Sequence, residues 1–177
     1  FQEGLAQSFC DRGGAEFIVN TNKGCAPLTV VVTNTTQGGN NYIVDFDYKG
    51  GLPTPNRDGF TFTYTRPGRY KILLAGSGGS GAIGKCEDIE VLGTEPPRFT
   101  ATACADNTVR LSITNDSLAA QYDQIEVQWG DNSAATYINK GDSLNLSHRY
   151  VGVGTRIVSV RGVYFDGGGC QGSTRRS

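Results

Sequence analysis

The chain alternates. Across residues 127–160, Val127 and Trp129 share one face of a strand while Gln128 takes the other, a period-two pattern. Trp129-Gly130-Asp131-Asn132 ends that strand at a turn, because Asp and Asn accept local backbone bonds and Gly tolerates positive φ. His148-Arg149-Tyr150 then passes through Gly152-Val153-Gly154 into the β-branched run Ile157-Val158-Ser159-Val160. The same logic predicts strands at residues 16–21, 28–34, 42–48, 59–64, 70–74 and 86–92. A second series falls at 99–103, 108–115, 124–129, 143–149 and 155–164. Residues 35–41, 49–58 and 166–169 read as turns or loops, 76–84 as a mobile Gly/Ser hairpin tip, and 116–122 as a loop with room for a short helical turn.

Composition points the same way. There are 25 glycines in 177 residues and no methionine, and no apolar stripe of period 3.6 runs through the chain. The length exceeds one Ig-like sandwich of about 100 residues and suits two small ones. Sixteen basic and 17 acidic residues leave a formal charge of −1. That balance offers no steering field toward nucleic acid. No apolar run approaches the ~20 residues of a membrane-spanning helix.

The order W-G-D-N, H-x-Y, a Gly-containing turn and a T-x-x-V-x-V strand resembles the PKD domain. Its signature is W-D/G-F/G-G-D-G followed by H-x-Y-x-x-P-G-x-Y-x-V. A weaker copy lies upstream. Gly24-Cys25-Ala26-Pro27-Leu28-Thr29-Val30 is similar to the opening of bacterial PKD modules. Val44-Asp45-Phe46-Asp47 stands where W-D-F-G would be, and residues 62–70 where H-x-Y-x-x-P-G-x-Y would be. The downstream copy departs from the pattern in two places: Gly152-Val153 replaces the Pro turn, and Arg156 stands where the second Tyr would be. The resemblance implies an all-β chain of two consecutive Ig-like antiparallel sandwiches. The expected division is an N-terminal segment 1–13, a first domain 14–93, a linker 94–97 and a second domain 98–177. Two prolines make that linker stiff and extended, an end-to-end join. Trp129, Asp131, His148, Tyr150 and Gly154 are the motif residues carried over. They imply a buried Trp129 beside a disulfide, and an Asp131 turn tied down by His148 or Tyr150.

Five cysteines occur. Cys25 and Cys104 open the two copies and Cys86 and Cys170 lie near their ends, so the expected disulfides are Cys25–Cys86 and Cys104–Cys170. Loops that long are worth roughly 4 kcal/mol each in chain entropy, and such bridges imply an oxidising compartment. Cys10 is the odd one, left free, paired with another chain, or competing for Cys25. A zinc site is the rival reading, but there is no C-x-x-C and only one His.

Candidate chemistry is sparse. His148 could serve as a general base, but no nucleophile motif accompanies it and the resemblance gives it a structural role. Asp45 and Asp47 alternate onto one face and read as solvated. Calcium is the cofactor alternative to none at all, with Asp123, Asp131 and Asp142 as oxygen donors if their loops converge. The Gly/Ser stretch lacks the strand-to-helix context of a phosphate loop. Tyr42, Tyr48, Tyr64, Tyr122, Tyr137 and Tyr164 are candidates for stacking on polysaccharide, or for capping the core. Asn34, Asn115 and Asn145 head N-x-S/T sequons. Gly4-Leu5-Ala6 places small residues where a signal peptidase would want them. Few residues follow Cys170, too few for a full last strand, so the native polypeptide is expected to continue beyond Ser177.

By resemblance, the chain is expected to be a non-catalytic, extracytoplasmic module pair for surface display, adhesion or protein contacts. Its opening motif looks like modules of large surface proteins exported by the type IX system of gliding bacteria. The alternatives are a carbohydrate-binding accessory module of a secreted hydrolase or peptidase, and a structural subunit of a secretion or adhesion complex.

Overall fold

A computed structural model describes residues 8–56, 59–166 and 169–176. The expected 166–169 turn falls partly outside these residues, and the signal-peptidase-like site wholly so. The chain is all-β and forms two compact units, one up to Val91 and one from Leu92. Each is an Ig-like sandwich of a three-stranded and a four-stranded antiparallel sheet.

In the first unit, β1 (Phe17–Val19), β3 (Leu28–Asn34) and β5 (Thr61–Tyr64) form one sheet in the order β1-β3-β5. The other runs β2-β7-β6-β4, with β2 Lys23–Cys25, β4 Asn40–Asp45, β6 Gly68–Gly78 and β7 Gly81–Leu92. Alternation does what it should. Val30 and Val32 of β3 face Val44, Ile72, Leu74, Ile89 and Val91 of the opposite sheet in one buried cluster. Val30, Ile72 and Leu74 are wholly inaccessible, and each such burial contributes about 1.5–3 kcal/mol.

Strand β6 is covered on both sides. Leu73 and Ala75, on its outer face, form a second cluster with Tyr48, against which Phe9, Cys10, Ile43 and Cys86 pack. A 3-10 turn, Phe9–Asp11, lies over that face, and the cover is covalent, since Cys10 is bonded to Cys86. This corrects the expected pairing: Cys86 bonds Cys10 rather than Cys25. Cys104 is free and exposed, so it has no bond to Cys170. Cys25 and Cys170 are each disulfide-bonded. The expectation failed because position along two aligned copies says nothing about Cα separation, which decides bonding.

The Gly/Ser stretch is also not the expected loop. β6 and β7 pair in register up to Gly78 opposite Gly81, leaving Gly79-Ser80 as the turn. Its glycines serve close approach: a Cβ on Gly84 would sit 2.3 Å from the Phe9 carbonyl oxygen. Asp45 is corrected as well. It is buried rather than solvated, and its carboxylate accepts from the backbone N–H of Asp47 and of Thr54, 3.0 and 2.7 Å away. Desolvation is offset because both oxygens are hydrogen-bonded.

The second unit has sheets β12-β9-β8 and β11-β10-β13-β14. The strands are β8 (Phe99–Ala103), β9 (Thr108–Ile113), β10 (Gln124–Gln128), β11 (Thr136–Asn139), β12 (Asn145–Arg149), β13 (Val158–Val163) and β14 (Ser173–Arg176). One helical turn, α1 (Ser117–Ala120), starts at Asp116, whose carboxylate caps the N–H groups of Leu118 and Ala119. β11 and β14 were not anticipated. β14 is a polar edge strand paired with β13, and a strand exposed on its free edge needs no apolar alternation. The expected linker residues pack within this unit. Pro97 is buried, and Glu95 C=O accepts from the Tyr122 hydroxyl at 2.6 Å.

Candidate functional site

Four of the five motif residues, Trp129, Asp131, His148 and Tyr150, converge in the second sandwich. β10 carries Val127 inward, wholly buried, and the chain then places Trp129 at 3% exposure in the core. Trp129 Nε1 donates to Thr136 Oγ1 at 2.9 Å, which satisfies the polar edge of the indole. Gly130 follows at φ 77°, where a Cβ would lie 2.3 Å from the Ile157 carbonyl oxygen. Both facts require glycine there.

Asp131 then turns the chain. Its Oδ1 accepts from the Ser133 hydroxyl and from Ser133 N–H. His148, on β12 in the opposite sheet, donates from Nε2 to Asp131 Oδ2 at 2.8 Å. The Tyr150 hydroxyl donates to Trp129 C=O at 2.9 Å. Hydrogen bonds from Ser133 and His148 hold the Asp131 carboxyl well below its usual range. Burial pushes the Tyr150 phenol up. Gly154, at φ 149°, lies in the following loop and has open space around it.

This arrangement is a brace between sheets. Asp131 and His148 form half of a nucleophile-activating relay. The hydroxyl at hand, Ser133, is bonded to the carboxylate rather than to the imidazole. Among the described residues, no serine or cysteine hydrogen-bonds His148. The Cys104–Cys170 bridge expected beside Trp129 does not exist.

The calcium candidates do not gather. Asp123 bonds Lys140 and the Phe165 N–H, Asp142 accepts from Asn139 N–H, and Asp131 is held by His148. Among the described residues, no group of three or more His, Cys, Asp or Glu side chains is placed to hold a metal. The six tyrosines make no common exposed plane. Tyr48, Tyr64 and Tyr122 are buried, while Tyr137 is 53% exposed. The Tyr64 hydroxyl donates to Phe46 C=O at 2.6 Å, and burial drives its pKa strongly up.

An ion pair escaped the sequence reading. Glu126 is buried on β10 and bonded to Arg161 opposite it on β13, and to Gln128. Burial alone would raise its pKa, but these two partners outweigh it and the net shift is down. An acidic residue in an apolar strand is the signal that could have revealed it.

Cavities open in this unit among the described residues. One of about 820 Å³ lies between β9, α1, β10 and β11, with Ile113, Ile125, Leu144, Asn115 and Asn145 among its lining residues. A second, of about 410 Å³, lies beside the loop that carries Gly154. Among the described residues, no helix is long and apolar enough to cross a membrane.

No protein-family model matches the chain, and no curated protein matches it. Solved structures do. A two-domain fibronectin type-III segment of chicken tenascin aligns over 92% of this chain and 97% of its own, at 12% identity and a TM-score of 0.52. The fibronectin(III)-like modules of Clostridium thermocellum CbhA align over 91% and 90%, at 12% identity and a TM-score of 0.41. The chain thus shares its fold with tandem fibronectin type-III domains.

Proposed function

We propose that the chain is a non-catalytic, extracytoplasmic pair of PKD-like Ig sandwiches that contacts other proteins at or beyond the cell surface. The observation that carries this reading is the state of its single histidine. His148 is stacked on Trp129 and hydrogen-bonded to Asp131, so the one side chain suited to proton transfer near neutral pH is part of the brace. The Cys10–Cys86 bond supports an oxidising location. Type IX export and display on a larger surface protein rest on the resemblance of the 24–30 stretch. The test has two parts. Purified chain should show no turnover on hydrolase, transferase and redox substrates, and immobilised chain should retain a protein partner from the cell envelope. Turnover abolished by His148→Ala in a folded variant would overturn the reading.

A polysaccharide contact is the second reading, favoured by the mixed lining of the 820 Å³ cavity, where Asn115 and Asn145 accompany Ile113 and Ile125. Polysaccharide pull-down with Asn115→Ala and Asn145→Ala variants decides it. Retention that both variants abolish would support a glycan site.

A further inference from the structure

The smaller cavity of the second unit has a chemistry the fold does not need. Its walls include Ala101, Val109 and Val158, and its mouth is bordered by Val153, which is 88% exposed. Two residues before Val153 along the loop, Val151 is 96% exposed. Two guanidinium groups line the same space, Arg156 and Arg176. The register accounts for both lining one cavity: Arg176 of β14 stands opposite Val158 of β13, two residues beyond Arg156.

Neither arginine forms an ion pair with a carboxylate among the described residues. The carboxylate of the adjacent turn, Asp131, is held by His148 and Ser133. The Arg156 Nε is buried without a hydrogen-bond partner among the described residues. Both guanidiniums are held by aromatic rings, Arg156 6.0 Å from the Tyr150 centroid and Arg176 5.6 Å from that of Phe99. A buried guanidinium nitrogen left unbonded is costly. Planar guanidiniums lining a cavity grip carboxylates through paired hydrogen bonds.

We infer that this cavity docks an acidic peptide segment of a partner protein, with a carboxylate held between Arg156 and Arg176 and neighbouring apolar side chains resting on Val151 and Val153. The inference rests on the protein-binding reading above and names its site. Charge complementarity selects the carboxylate, and the exposed valines select the apolar flank.

The test uses the full chain, immobilised and panned against a random peptide library displayed on phage. Enriched peptides should carry Asp or Glu beside apolar residues. A synthetic enriched peptide is then titrated by fluorescence anisotropy, alongside the same peptide with its acids changed to amides. Arg156→Gln and Arg176→Gln should each weaken the acidic peptide roughly tenfold or more, as expected for loss of a charge-assisted hydrogen bond. Arg156→Lys keeps the charge but loses the planar fork, and should fall between. It also keeps the test sound should Arg156→Gln fail to fold. Cys104 gives an independent readout. Its free, exposed thiol lines the cavity, so bound peptide should slow its alkylation by iodoacetamide. Equal binding of the amide peptide, no enrichment of acidic sequences, or affinity unchanged in the folded arginine variants would overturn the site. Arg156-dependent sedimentation with phosphatidylserine vesicles, without peptide binding, would also overturn it and assign the cavity to a lipid surface. Retention of an envelope protein undiminished by Arg156→Gln would remove this site while leaving the module reading in place.

Discussion

The imidazole of His148 lies flat on the indole of Trp129, with ring centroids 4.7 Å apart and planes within 9° of parallel. The two rings come from opposite sheets, and Asp131 closes the arrangement by accepting from the imidazole. His148→Ala removes the stack and strands a carboxylate oxygen. The expected result is a lower melting temperature of the second unit with its β-sheet spectrum retained in the cold.

Trp129 should report its own burial. At 3% exposure, its fluorescence should resist iodide. Trp129→Ala should cost about 3–5 kcal/mol, as a truncation of a packed aromatic. Trp129→Phe keeps most of the apolar volume and leaves the Thr136 hydroxyl without its donor, so it should cost less, about 1 kcal/mol from the lost hydrogen bond. A readily quenched Trp129 would contradict the packing described.

Acid should loosen the second unit first through its carboxylates. Asp131 titrates well below its ordinary 3.8 in the folded chain because Ser133 and His148 hydrogen-bond its charged form. The stabilisation is complete above that ordinary value. It is lost as pH falls from there toward the lower native value, because the unfolded chain takes up the proton first. Glu126, also shifted down, adds to the same limb. Urea melts between pH 5 and pH 2 should show this slope, and Asp131→Asn should flatten it while lowering stability at neutral pH.

Non-reducing peptide mapping should recover a Cys10–Cys86 peptide, and Cys104 should alkylate without reductant. The Cys10→Ser, Cys86→Ser pair should destabilise the first unit by roughly 4 kcal/mol on the chain-entropy estimate for a loop spanning 76 residues. Melting the variant beside reduced wild-type chain isolates the contribution of this bond.

What the sequence made legible was whatever a local pattern encodes. Alternation put Val127 and Trp129 on one face, and that face is buried; the PKD resemblance implied that His148 or Tyr150 would tie down the Asp131 turn, and His148 bonds Asp131 while Tyr150 bonds the Trp129 carbonyl. What it hid depends on distant contact. Leu73 sits on the face that alternation assigns to solvent, and only the turn around Phe9 makes that face a core. Asp45 is buried because Thr54, in a loop nine residues on, donates to it. The cysteine partners were misjudged because chain spacing carries no information on where unpatterned residues such as Cys10 come to rest. β14 was unseen because a polar edge strand has no periodic signature.

The covalent hold on the Phe9–Asp11 turn changes what a protease cut would mean. Arg12 is exposed, and the peptide bond after it is a natural target for trypsin-like cleavage. In most domains such a cut frees the segment that precedes it. Here the severed piece would remain as a bonded plug over Leu73 and Ala75, invisible on a non-reducing gel and released only by thiol. Nicking and unplugging are therefore separate events for this chain, the first set by proteolysis and the second by the redox state of its surroundings.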